Sequence, residues 1–158
     1  MNLDIRHFAP WELQGWWDRT SLRLLVVTDI FRFRWGAPVD VSRHHRAIGR
    51  NDGPDVSSRH NIDYWGQVLA IDLQPRGMVT RTDARRAVQL AIECGATGIA
   101  VYPHWASGPG LHLDVRKDRD MGDPARWGMV NRTDPRTGRV SQVEVSMADA
   151  LEAFPEEA

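Results

Sequence analysis

The stretch Gly110-Leu111-His112-Leu113-Asp114-Val115 decides the fold that this sequence predicts. Apolar and polar residues alternate along it, which is typical of a half-buried β-strand whose successive side chains point to opposite faces of a sheet. The apolar residues are expected to face a core, and His112 and Asp114 to project together from the other face. Residues 69–73 alternate in the same way and present Asp72. The two strands together indicate a small sheet that carries polar groups on one face.

The rest of the chain predicts helices that cover the apolar face of that sheet. Residues 21–34 are apolar on most sides, as in a largely buried helix. Residues 84–92 carry one apolar stripe, and Thr80 or Thr82 can cap this second helix. The sequence therefore predicts an α+β fold, a small antiparallel sheet with helices packed on one face. The remaining expectations are strands at 38–42 and 98–102, a long loop at 44–58, an irregular segment at 117–138 and a short helix at 147–154.

Bulk properties exclude several classes of protein. The 158 residues fit a single domain, 1–158, and the net charge of −1 gives no general attraction to nucleic acid or anionic lipid. No stretch is long and apolar enough to span a membrane, and the N-terminus lacks a signal-peptide pattern, so we expect synthesis in the cytoplasm. Cys94 is the only cysteine, which excludes an internal disulfide and a cysteine-based zinc cluster. Seven tryptophans are available for carbohydrate clefts or interfaces, although core packing accounts for most such residues.

Three side chains on or beside the predicted sheet have the composition of a metal site. His60 follows a loop-like Ser-Ser-Arg sequence, Asp72 lies on one predicted strand and His112 on another. Two imidazoles and one carboxylate are the ligand count of a catalytic Zn²⁺ site that leaves its fourth position to water. Each of the three residues also has an ordinary structural explanation when it is considered alone.

Five short motifs follow one another in a fixed order: WGAPVDVSRHHR at 35–46, SRH at 58–60, AID at 70–72, YP at 102–103 and HLDV at 112–115. In this order, with RWG at 126–128, they resemble the zinc D-alanyl-D-alanine peptidases of the Hedgehog-like metallopeptidase fold. The resemblance is greatest to the branch found as stand-alone domains in bacteriophages and bacteria. It covers about residues 21–128, which makes this segment the core and 129–158 a C-terminal extension.

The resemblance implies roles for individual residues. His60, Asp72 and His112 match the zinc ligands of the family. Arg46 matches the arginine that holds the peptide substrate or its carboxylate, for which the planar guanidinium is suited. The alternative for Arg46 is a solvated loop charge.

The sequence also departs from the family pattern. His60 and Asp72 are farther apart than usual, so Asp63 is a rival ligand, and Arg43-His44-His45 replaces Ser-Gly-Tyr.

A further departure affects the general base. Many relatives carry it three places before the last histidine, where this chain has Pro109. Asp114 is the first substitute as catalytic residue, since it shares a strand face with His112, but it can equally orient that histidine from behind. His104 and His45 are further candidates for the base.

These observations predict a zinc peptidase, phage-encoded, that hydrolyses peptidoglycan stem peptides or cross-links as a D-alanine carboxypeptidase or an endopeptidase. Its partner is then the peptidoglycan peptide, and it is either released to the cell wall at lysis or carried in the virion beside other virion proteins. The alternative is a non-catalytic virion structural or binding domain that retains the peptidase fold. A third hypothesis is an unrelated α+β domain that binds no metal.

Overall fold

A six-stranded mixed β-sheet with four α-helices is the frame of the molecule in the computed structural model, which describes residues 4–157. The α+β class predicted from the sequence is confirmed. Among the described residues no helix combines the length and the apolar character needed to cross a membrane. In chain order the elements are two 3₁₀ turns (Pro10–Leu13 and Trp17–Arg19), α1 (Leu22–Trp35), β1 (Val39–Val41), α2 (Ile62–Trp65), β2 (Ala70–Pro75), α3 (Arg81–Glu93), β3 (Gly98–Tyr102), β4 (Gly110–Asp114), β5 (Ala125–Thr133), β6 (Val140–Val145) and α4 (Met147–Glu152).

The strands lie in the order β1-β2-β4-β3-β5-β6. All neighbouring pairs are antiparallel except β3 and β5, which are parallel, so the prediction of an antiparallel sheet was wrong at this one pair. The reason is that β4 already has β2 and β3 on its two sides. The chain that leaves β4 therefore reverses direction and pairs with the free edge of β3, which makes β5 parallel to β3.

The hairpin of β5 and β6 is a second difference, because residues 125–133 of the segment predicted to be irregular form a strand. Its six register pairs run from Gly128 opposite Val145 to Thr133 opposite Val140. The hairpin forms one edge of the sheet and is largely exposed, which explains its many polar residues. Asp134 stabilises the turn, since its side chain accepts hydrogen bonds from the backbone N–H groups of Arg136 and Thr137. The core boundary predicted at residue 128 falls inside β5.

The core lies between the sheet and helices α1, α3 and α4, which contact the sheet and, through α3, one another. On the central strands the large buried apolar residues occupy every second position, for example Ile71 and Leu73 on β2 and Leu111 and Leu113 on β4. Helix α3 begins at Thr80, one of the two predicted caps, whose hydroxyl accepts from Asp83 N while the Asp83 carboxylate accepts from Thr80 N. The face of β2 and β4 opposite these apolar residues is left for the polar side chains.

Candidate metal centre

Strand pairing brings two of the three predicted ligands together. Asp72 on β2 and His112 on β4 are direct cross-strand partners, so their side chains rise from the same face of the sheet. Asp72 Oδ1 lies 2.9 Å from His112 Nδ1. His60 reaches the same point from the loop before α2, with its Nε2 atom 3.2 Å from His112 Nδ1 and 3.5 Å from Asp72 Oδ1. The three residues form a cluster that could hold a metal ion.

The distances within the cluster fit a tetrahedral metal. Ligand atoms about 2.0–2.1 Å from a tetrahedral Zn²⁺ are about 3.3 Å from one another. The three observed separations, 2.9, 3.2 and 3.5 Å, lie on both sides of that value. Two imidazole nitrogens and one carboxylate oxygen are also donors that zinc accepts readily. The residues present therefore fit the predicted ion, with one coordination position left for a further ligand.

A backbone carbonyl fixes the orientation of His60. Its Nδ1–H group donates to the Ile48 carbonyl at 2.6 Å, which leaves the Nε2 lone pair directed at the cluster. The loop that contains Ile48 is itself tied to the ligand. Arg50 N donates to the His60 carbonyl at 3.1 Å, and Ile62 N donates to the Arg50 carbonyl at 3.0 Å. Most of the predicted long loop at 44–58 therefore lacks regular structure but is anchored where it supports His60.

A buried carboxylate fixes His112. The Nε2–H group of the imidazole donates to Asp114 Oδ2 at 3.2 Å, which leaves Nδ1 facing Asp72 and His60. Asp114 is fully buried, and Arg116 pairs with both of its oxygens, Nε with Oδ1 at 2.9 Å and a terminal nitrogen with Oδ2 at 2.5 Å. Gly98 leaves room for this carboxylate, because a Cβ atom there would lie only 2.2 Å from Asp114 Oδ2. Metal-bound histidines are commonly oriented by such a carboxylate.

The charges around His112 favour a cation at the cluster. Burial alone would raise the pKa of Asp72, but the adjacent His60 and His112 hold it well below its usual range. Burial likewise opposes ionisation of Asp114, and His112 and Arg116 outweigh it and keep its pKa low. Burial lowers the pKa of His112, yet the hydrogen bonds with Asp114 and Asp72 raise it to about 9. The carboxylates of Asp72 and Asp114 stabilise a positive charge at this histidine, which either a proton or a metal ion can provide.

The structure separates the two rival carboxylates. Asp63 lies on α2, is exposed, and accepts a hydrogen bond from Gly53 N at 2.9 Å. It contributes no atom to the cluster, whereas Asp72 does.

A cavity of about 1130 Å³ opens beside the cluster, and Arg46 is one of its lining residues. One terminal nitrogen of Arg46 contacts both oxygens of Asp52, at 2.9 and 2.8 Å, and Arg50 Nε pairs with the same carboxylate at 2.7 Å. Two guanidinium groups thus share the Asp52 carboxylate, and a second carboxylate, Asp55, lies near both of them, so the charges at this corner balance. His104 and His45, the further candidates for the base, are not among the residues that line the cavity.

Sequence reasoning assigned no role to three other cavity residues. Tyr102 and Trp127 belong to the YP and RWG motifs, so the sequence contained a pattern from which their place at the site could have been predicted. The Trp127 ring lies 5.2 Å from that of His112, and burial together with the nearby Asp72 and Glu144 raises the pKa of the Tyr102 hydroxyl. Glu144 comes from β6, in the segment predicted to be an extension, and so gave no signal.

No known protein family, curated protein or solved structure matches this chain. Its function must therefore be inferred from the chemistry of the site and from the order of the motifs in the sequence.

Proposed function

We propose that the protein is a zinc-dependent peptidase, phage-encoded and of the Hedgehog/DD-peptidase type, that hydrolyses an amide bond of peptidoglycan stem peptides or cross-links. Its main support is the convergence of His60 Nε2, Asp72 Oδ1 and His112 Nδ1 within 3.5 Å on the wall of an open cavity. The order of the five motifs supports the substrate class. Zinc held by such a ligand set lowers the pKa of a bound water and polarises the substrate carbonyl.

The protein supplies rigid ligands for that chemistry. Asp72 and His112 are fixed by strand register, and both histidines have their second ring nitrogen engaged, by the Ile48 carbonyl and by Asp114. Ligands whose orientation is set before the ion binds need little reorganisation during the reaction.

Asp114 takes a positioning role in this proposal and not the catalytic role expected first. Its carboxylate contacts Nε2 of His112, on the side of the ring away from Asp72 and His60. Both of its oxygens are paired with Arg116 and the residue is fully buried. A general base must come within hydrogen-bond reach of the attacking water, and these contacts favour orientation of the ligand instead.

Glu144 is the carboxylate of the cavity that is not engaged at the cluster, and it stands on β6, three strands from His112 on β4. Three carboxylates line the cavity, and two of them, Asp72 and Asp114, are engaged at the cluster. Within residues 4–157 Glu144 makes no side-chain hydrogen bond or ion pair, so its carboxylate is free to contact a substrate. The Tyr102 hydroxyl lines the same cavity and can donate a hydrogen bond to a substrate, and the guanidinium group of Arg46 can pair with a substrate carboxylate.

Hydrolysis of a stem peptide that ends in D-Ala-D-Ala tests the proposal. We expect the zinc-loaded protein to release D-alanine or to cut a cross-linked dimer, detected by mass spectrometry, and His112→Ala to abolish the cleavage. Stoichiometric zinc binding without cleavage of any wall peptide would instead support the second candidate, a non-catalytic virion domain. This candidate is favoured by Pro109, which stands where the resembled peptidases carry an acidic residue. Absence of zinc binding would reject the peptidase proposal.

A further inference from the structure

Trp11 differs from every other tryptophan in the protein. The other six are buried or half-buried, whereas Trp11 is 80% exposed. An indole in water forgoes the free energy that burial of its large apolar surface supplies elsewhere. Core packing therefore explains the other tryptophans and does not explain this one.

The position of Trp11 is fixed by its neighbours. It lies in the 3₁₀ turn Pro10–Leu13, which is anchored by the fully buried side chain of Leu13. The next residue, Glu12, accepts from Ala9 N at 2.8 Å and pairs with Arg32 at 2.7 Å in a largely shielded ion pair. The indole is thus presented to solvent by a well-anchored turn.

Polar side chains surround the exposed indole. Trp11 lines a second cavity of about 450 Å³ together with Asp40, Arg43, Gln74 and Ser107. An apolar platform with a few hydrogen-bonding groups at its edge is the usual composition of a small-molecule site. It suits a ligand that is apolar on one face and polar around its rim.

The second cavity adjoins the metal centre. Ser107 lines both cavities, and Gln74 Nε2 donates to Ser107 Oγ at 2.8 Å on the boundary between them. Gln74 follows Asp72 by two residues on the same face of β2, a distance of about 7 Å. One further strand spacing of about 4.8 Å leads to β1 and Asp40. The two displacements are perpendicular, so Asp40 lies about 8–9 Å from Asp72, which about two to three extended peptide residues span.

We propose that the Trp11 cavity is a subsite for a pyranose of the glycan strand to which the stem peptide is attached. The apolar C–H face of the sugar stacks on the indole, and its hydroxyl and acetamido groups hydrogen-bond to Asp40, Arg43 and Gln74. The identity of this ligand rests on the proposed function, because a stem peptide bound at the metal centre carries its sugar at the far end of a short peptide.

Calorimetry on the zinc-loaded protein tests the subsite. The probes are a disaccharide-tetrapeptide of the cell wall, the same tetrapeptide without sugar, and chitotetraose. We expect the sugar to tighten tetrapeptide binding at least tenfold in the wild type, this advantage to disappear in Trp11→Ala, and part of it to return in Trp11→Phe. Phe33→Ala is the matched control, since Phe33 is also an exposed aromatic residue (67%) but lines neither cavity, and it keeps the advantage.

The outcomes separate this inference from the proposed function. If chitotetraose binds in a Trp11-dependent manner while neither tetrapeptide binds or is cleaved, the sugar subsite stands and the peptidase proposal fails. If the sugar adds nothing to the affinity of the wild type, or if Trp11→Ala retains the full advantage, the subsite is refuted whether or not peptides are cleaved.

Discussion

The two histidines of the cluster are held by different means. His112 stands on a central strand, opposite Asp72, and its second nitrogen is bound by a buried carboxylate that Arg116 neutralises. His60 stands on a loop, and its second nitrogen is bound by one backbone carbonyl. The strand half of the site (Asp72, His112 and Asp114) is therefore part of the folded core. The loop half (His60) is attached to that core by fewer contacts. We expect changes on the strand half to affect both stability and metal affinity, and changes on the loop half to affect mainly metal affinity.

The largest effect is expected from His112→Ala. Zinc affinity should fall by more than about 100-fold, since a ligand is lost together with the orientation of the site. The free energy of unfolding of the metal-free protein should fall by about 3 kcal/mol, because the buried Asp114 carboxylate and the half-buried Asp72 carboxylate lose the partner between them. Zinc titration and chemical denaturation measure the two quantities. His60→Ala is the comparison variant, with a similar loss of zinc affinity and a smaller loss of stability; equal destabilisation would contradict the distinction.

Asp114→Asn isolates the buried support of His112. The amide keeps the volume but removes the charge that balances Arg116, so zinc affinity should fall by about 10- to 100-fold and stability by about 2–3 kcal/mol. Asp63→Asn is the matched control, because Asp63 is exposed and contacts Gly53 but not the cluster. Competition with a zinc-binding dye gives the affinities. If the zinc affinity of Asp114→Asn equals that of the wild type, Asp114 does not contribute to metal binding by orienting His112.

Gly98→Ala changes the strand half without removing any polar group. The added methyl group would collide with the Asp114 carboxylate, which lies 2.2 Å from the position of a Cβ atom. We expect a loss of about 1–3 kcal/mol in stability and a measurable decrease in zinc affinity as Asp114 shifts. Thermal unfolding with and without zinc provides the measurement. A variant as stable as the wild type would show that Asp114 has more freedom than its contacts indicate.

The effect that needs no substitution is the pH dependence of zinc binding. Zinc requires unprotonated ring nitrogens, and in the metal-free protein the pKa of His112 is raised to about 9. Below that pH a proton must leave before the ion binds, so the apparent affinity should rise as the pH increases from 6 to 8, by about tenfold per unit for one competing proton. Isothermal titration in buffers of different ionisation enthalpy measures the released protons. An affinity independent of pH over this range would contradict the assigned protonation.

The sequence predicted best what depends on local patterns. Alternation along β4 located His112, and the Ala-x-Asp pattern favoured Asp72, because a period of two assigns side chains to faces without knowledge of the partner strand. The choice between Asp63 and Asp72 stayed open, since the path of the loop after His60 depends on contacts such as that of Asp63 with Gly53.

Contacts that are distant in the sequence escaped prediction. The β5–β6 hairpin has too few apolar residues to be distinguished from an exposed loop, although the Asp-Pro-Arg-Thr-Gly turn at 134–138 offered a signal. Because the hairpin was missed, so was Glu144. The space that Gly98 leaves for Asp114 follows only from the pairing of β3 with β4.

The central claim is that His60, Asp72 and His112 bind one zinc ion. A crystal of the zinc-loaded protein, with anomalous scattering measured at the zinc absorption edge, tests it most directly. We expect one strong peak about 2.0–2.2 Å from His60 Nε2, Asp72 Oδ1 and His112 Nδ1, with Asp114 hydrogen-bonded to the opposite side of the His112 ring. No peak at this cluster under stoichiometric zinc, or a peak coordinated by Asp63 or by Nε2 of His112, would contradict it.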